Sequence, residues 1–226
     1  MASQLVVRAC PPFRVPGQDS TEAVAGLERS ARRLLDGAEL ERARAMVQPV
    51  RSDFLAGRIA QRLFAAELLG VRATDLAASY TCPQCGSGAV ISHGTPGYTL
   101  AGAPIPLVLS LSRAAGWTLL AAVVAPAPQQ RLGVDAEDPQ LMGFEGFDAV
   151  ALTPAERQAV APLNGSALLR ERARLWTRKE AFLKMTGEGL RRAPETLEVL
   201  NRHGVRDLAP TESGLPGHLA AAVAFG

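Results

Sequence analysis

A long helix that stops at glycine, then irregular chain, then a strand rich in alanine and valine: this order occurs twice along the 226 residues. It restricts the possible folds more than any other feature. In the first pass Phe54, Leu55, Ile59, Leu63, Phe64 and Leu68 recur at spacings of three and four. That period predicts a helix over residues 52–69, ended by Gly70. An upstream helix is expected over 21–35, continuing brokenly to 47. Residues 81–106 are rich in Gly, Pro, Ser and Cys and read as loop with short strands. Strands follow over 106–112 and 117–125.

The second pass opens with a strand over 132–137. Thr153, Pro154 and Glu156 form a helix start with a mechanism: N-cap, first-turn proline and the acid of a capping box. Asn164-Gly-Ser166 resets the chain before a helix over 167–186, stopped by Gly187 and Gly189. A short apolar strand over 218–225 ends the chain. The expectation is an α+β fold of two pseudo-symmetric halves, each a small, mostly antiparallel sheet packed on a long helix. Ala125-Pro-Ala-Pro128 marks the seam, giving residues 1–128 and 129–226. A cleft between such halves is a common place for a ligand.

Composition narrows the classes of function. The net charge is +2, and acids are mixed among the arginines. No concentrated basic face is expected, which argues against nucleic acid. Arg170, Arg172 and Arg174 read as a solvated helix face. No window holds ~18 consecutive apolar residues, so no membrane span is expected. The stretch 1–12 contains Arg8 and lacks the apolar core of a secretory signal. Three cysteines fit a reducing cytoplasm better than a disulfide framework.

Lysine usage points to chemistry. Only Lys179 and Lys184 occur among 24 cationic residues, and they bracket Glu180. Lysine kept against an arginine background suggests a site wanting a compact ammonium charge. Upstream, Asp135 and Glu137 stand two apart in a strand and share a face, about 6.6 Å from each other. Two carboxylates that close repel unless a cation or donor sits between them, and oxygen ligands suit Mg²⁺. The plainer reading is a solvated edge strand. Glu180 and Lys184, four apart, share a helix face and read most simply as a surface ion pair. Trp176 on the same stripe draws them toward the buried boundary, where an unpaired charge is costly.

Gly-Val-Asp-Ala-Glu (133–137), followed by Trp-Thr-Arg-Lys-Glu-Ala-Phe-Leu-Lys (176–184) and Gly-Glu-Gly-Leu (187–190), resembles the paired signature of the 4′-phosphopantetheinyl transferases. The likeness is to their large, two-half, surfactin-synthetase-activator-like type. More loosely, Arg51-Ser-Asp-Phe-Leu-Ala-Gly-Arg58 resembles the Arg-x-x-Phe-x-x-x-Arg helix of that family. Cys82-Pro-Gln-Cys-Gly86 with His93-Gly-Thr-Pro96 resembles a cysteine-containing segment leading into His-Gly-Lys/Arg-Pro. Ser110-Leu-Ser-Arg113 resembles a Ser-x-Ser-His strand end.

The resemblance implies that coenzyme A lies between the halves, with Mg²⁺ held by Asp135, Glu137 and Glu180. The phosphopantetheine arm would pass to a serine of an apo carrier protein, releasing 3′,5′-adenosine bisphosphate. Glu180 is the implied base, and Lys184 the cation at the bridging oxygen. Arg51, Arg58, His93, Thr95, Ser112, Arg113 and Lys184 are the implied coenzyme A contacts. The chain departs from the family at two of these: Arg113 stands for a histidine and Thr95 for a lysine or arginine. The family's double size implies a monomer.

Other readings remain. The departures motivate a non-catalytic module that binds coenzyme A or a carrier protein. Cys82, Cys85 and His93 invite a zinc reading, set against a bland cysteine-containing turn, because a fourth ligand is missing nearby. His203 and His218 are expected exposed. Phe144 and Phe147 are read as core rather than as a patch for a carrier helix.

Overall fold

The computed structural model describes residues 4–13 and 21–226, so residues 1–3 of the N-terminal stretch read above lie outside them. In chain order the elements are β1 (Gln4–Cys10), α1 (Thr21–Leu34), α2 (Gly37–Arg44) and α3 (Val50–Leu69), followed by β2 (Leu76–Ala78), β3 (Tyr80–Cys82), β4 (Gly86–Gly88), β5 (Tyr98–Leu100) and β6 (Ala103–Pro104). The long strands β7 (Leu107–Ala114), β8 (Trp117–Val124) and β9 (Leu132–Glu137) come next. After them run α4 (Phe147–Ala151), α5 (Pro154–Val160), α6 (Gly165–Thr186), β10 (Val205–Asp207), α7 (Pro210–Ser213) and β11 (Ala220–Phe225). The fold is mixed α+β, built from small antiparallel sheets and helices.

Two three-stranded antiparallel sheets form the frame, ordered β1–β8–β7 and β10–β11–β9. The sequence reading does not anticipate β1. It pairs with β8 over its whole length, from Gln4 opposite Val124 to Cys10 opposite Thr118. Helix α3 packs near β8, and α6 packs on β9 and β11. The 52–69 helix is thus observed with two extra residues at its start. It ends at Gly70, which takes φ 67, where a side chain is strained.

The two sheets meet through β9, whose alternate residues face different layers. Leu132, Val134 and Ala136 join Leu119, Ala121 and Val123 of β8 in one core cluster. Gly133, Asp135 and Glu137 face α6. A Cβ at Gly133 would stand 1.9 Å from the Ala181 carbonyl oxygen, so only glycine allows this approach. Alanines do the same work elsewhere: Ala181 packs on Ala222 and Ala224 of β11. The other side of α6 sends Leu175 and Leu183 into a cluster with Leu152, Leu197 and Val199. Helix α6 is therefore buried on two sides, which fixes the direction of the residues between.

Three expectations need correction. Phe147 is buried, but Phe144 is 52% exposed. It sits ahead of Gly146, before α4 begins, and meets Phe147 only edge-on at 5.3 Å. Arg172 is no solvated charge: its guanidinium binds Asp148 through two bonds of 2.8 Å and also donates to the Met142 carbonyl, fastening α4 to α6. Arg174 likewise pairs with Glu171 and Asp207. His203 and His218 are exposed, as expected.

Candidate active site

The capping box read at 153–156 forms as expected: Thr153 Oγ1 accepts from the Glu156 amide, and Glu156 Oε2 accepts from the Thr153 amide. Glu156 does more than cap. It is fully buried, and Lys179 Nζ lies 2.6 Å from its carboxylate. Lys179 also donates to the carbonyls of Pro194 and Leu197 at 2.8 and 2.7 Å. Burial pulls its ammonium below the usual lysine range, against the opposing pull of Glu156. The two lysines therefore part company: Lys179 ties α5, α6 and the 194–199 segment together, about 1.4 helical turns from Lys184.

Lys184 points the other way, to β9 and the end of β7. Its Nζ donates to Asp135 Oδ1 at 2.6 Å, to Ser112 Oγ at 3.1 Å and to the Val134 carbonyl at 3.3 Å. Ser112 donates in turn to Asp135 Oδ1 at 2.6 Å. Two residues back, Ser110 Oγ accepts from the Val134 amide at 3.0 Å. The Ser-x-Ser end of β7 thus grips β9 through hydroxyls, and Asp135 is the centre of the joint.

Asp135 is 2% exposed. Its Oδ1 is doubly bonded, but Oδ2 is buried without a hydrogen-bond partner. Leaving such an atom unsatisfied costs about 1–3 kcal/mol, and more for a charged group. Glu137 is half-buried on the same face and accepts from Trp176 Nε1 at 3.2 Å. Burial, then the charge on Asp135, push its carboxyl up to about 7, against the pull of the Trp176 bond and Lys184. Burial and Asp135 also raise Glu180, with Lys184 opposing. The three acids feel one another, and Lys184 is their common cation.

This donor set fits a hard divalent cation. It offers an unpartnered buried oxygen on Asp135 and two further carboxylates, on Glu137 and Glu180, that are raised first by burial and then by the charge of Asp135. The acids stand looser than a closed ligand shell. Among the described residues, the group of possible ligands whose donor atoms all lie within 4.8 Å of one another is Cys82, Cys85 and His93.

A groove of about 320 Å³ opens beside Lys184 and is walled by Arg58, Thr95, Pro96, Ser110 and Gly187. Arg58 is stacked over Tyr80 at 4.4 Å and Phe54 at 5.1 Å, and donates to the Ser92 carbonyl. Arg113, at the end of β7, donates to the Asp53 carbonyl of α3 at 3.3 Å and packs beside Gly57. Desolvation at its base, then the charges of Arg58 and Arg42, hold its guanidinium below the usual range. Arg42 is a cation the sequence reading missed, since nothing in its local pattern sets it apart. Arg51 is placed differently: it is bound by Glu28 through bonds of 2.6 and 3.0 Å and is not among the residues walling the groove. The structure therefore joins Lys184, Asp135 and Ser112 by hydrogen bonds, keeps Glu137 and Glu180 within electrostatic reach of Asp135 and Lys184, sets Arg58 and Thr95 along the groove, and ties Arg51 to α1.

Residues 131–218 match the family model of the 4′-phosphopantetheinyl transferase superfamily. The match covers less than half of the chain but includes β9 and the whole of α6, and it bears out the superfamily to which the two motifs point. It supports phosphopantetheine transfer as the general activity. A comparison with curated proteins finds no match.

Proposed function

We propose that the chain transfers the 4′-phosphopantetheine arm of coenzyme A to a serine hydroxyl of an apo carrier protein, releasing 3′,5′-adenosine bisphosphate, with Mg²⁺ as the metal. The observation that carries this reading is the buried, unpartnered Oδ2 of Asp135 beside Glu137, Glu180 and Lys184, within the segment that matches the superfamily.

In this reading residues 129–226 carry the metal and catalytic side chains, and residues 1–128 the phosphate contacts. Asp135, Glu137 and Glu180 would hold the cation, which would supply neutralisation of the pyrophosphate charge. Glu180, raised by burial, accepts the serine proton as the hydroxyl oxygen bonds to the β-phosphorus. The bond from that phosphorus to the bridging oxygen breaks, and the electron pair leaves on adenosine bisphosphate. Lys184 meets the charge growing there. Arg58 and Arg113 face phosphate oxygens, and their mutual repulsion favours an anion between them. Ser112 holds Asp135 and Lys184 in register. No helix among the described residues is long and apolar enough to cross a membrane; the reading is of a cytoplasmic monomer acting on carriers of peptide or polyketide assembly.

The test is a mass-shift assay across several apo carriers with coenzyme A and Mg²⁺. Gain of one phosphopantetheine per carrier supports the proposal. Tight coenzyme A binding by calorimetry without bisphosphate release rejects it in favour of a binding module.

A further inference from the structure

Cys82, Cys85 and His93 take no part in the chemistry above, yet the backbone gathers them with care. Strands β3 and β4 form a hairpin in which Cys82 pairs with Gly86, leaving Pro83, Gln84 and Cys85 as the turn. Gly86 takes φ 85, a conformation that suits glycine. His93 arrives from further along the chain by a separate device. Thr81 and Thr95 exchange backbone hydrogen bonds of 3.0 and 2.8 Å. Between them Gly94 runs so close that a Cβ there would stand 2.3 Å from the Thr81 carbonyl oxygen. The result is three donor atoms within 4.8 Å of one another, one residue buried, one exposed and one half-buried.

We propose that Cys82, Cys85 and His93 bind a zinc ion, with water in the fourth position. Two sulfurs and an imidazole are a soft-to-borderline donor set, matched to zinc and unlike the all-oxygen set at Asp135. The ion would pin the segment bearing Gly94, Thr95 and Pro96, which forms one wall of the groove beside Lys184. Pro83 of the hairpin turn lines the same groove as Gly187 and Gly189, just after α6. The zinc knuckle therefore stands where the 81–96 loop approaches the end of the catalytic helix. It also reassigns His93, from a coenzyme A contact to a ligand whose effect on the groove is positional.

Metal analysis of the full chain purified without chelator tests this. About one zinc per chain is expected, falling roughly tenfold in Cys85→Ser and in His93→Ala. Cys85 is exposed, so its replacement removes no core packing, and circular dichroism checks the fold of each variant. As a second measurement, Co²⁺ replacing zinc in the wild type should give a thiolate-to-cobalt charge-transfer band that Cys85→Ser lacks. Wild type that holds no zinc and gives no such band overturns the proposal, as does full zinc retention by both folded variants. A Cys82–Cys85 disulfide in protein prepared without air overturns it too. None of these readouts passes through phosphopantetheine transfer, so this proposal and the proposed activity fail separately.

Discussion

At the residue scale the deciding atom is Asp135 Oδ2. A carboxylate oxygen buried without a partner is tolerated where something else is meant to meet it. Under the proposed function Glu180→Gln, which keeps the shape of α6 but removes the proposed proton acceptor and a charge of the proposed metal set, should lower carrier phosphopantetheinylation about 10²–10⁴-fold in a mass-shift assay. Gly133→Ala makes a different demand. Its Cβ would meet the backbone of Ala181 and Met185, neither of which can swing aside as a side chain can. Loss of several kcal/mol of stability is expected by denaturant titration, or else a shift of α6 that carries Glu180 and Lys184 off β9. Spacing put Asp135 and Glu137 on one strand face and Glu180 and Lys184 on one helix face, but on spacing alone they read more plainly as a solvated strand edge and a surface ion pair; the resemblance to the transferase motifs is what singled them out. The sequence could not say that Lys179, in the same motif, turns away from them. Which side of α6 a lysine takes depends on the alanines that let the helix approach β11.

At the element scale, long periodic segments were readable and short ones were not. Strand β9 has the expected limits, and α3 and α6 extend the expected helices by two residues at their starts. Strands β2 to β6 have two or three residues each, too few to show a period of two. Strand β1 escaped because its partner β8 lies more than a hundred residues away, and long-range pairing leaves no local mark. Helix α6 also depends on a tie invisible in any pattern, the buried Lys179–Glu156 pair. Lys179→Met should destabilise the fold by about 3–5 kcal/mol, because Glu156 would be left in the core without its cationic partner. Any transfer activity should survive in the fraction that remains folded, as read by assays at graded temperature. Loss of turnover in fully folded protein would instead place Lys179 in the chemistry.

At the scale of the whole molecule, acid should loosen the structure at identifiable points. The Arg51 hydrogen bond holds Glu28 below the usual carboxylate range. Burial works against Glu198, but bonds from Thr153 and the Leu200 amide and the charge of Lys179 bring it below that range as well. Folded values below unfolded ones mean that their contribution is complete above an unfolded pKa of about 4.3 and is lost as pH falls through the folded values. The melting temperature should therefore drop below about pH 4, and Glu28→Gln should flatten that drop while lowering the plateau at neutral pH. The way the two frames touch has a mechanical corollary. Strands β7 and β9 belong to different sheets and are joined by Ser110 and Ser112 rather than by a backbone ladder. A hydroxyl can re-aim its bond while a peptide ladder must break, so across this junction shape is kept by the shared apolar core of β8 and β9 and direction by two replaceable hydroxyls.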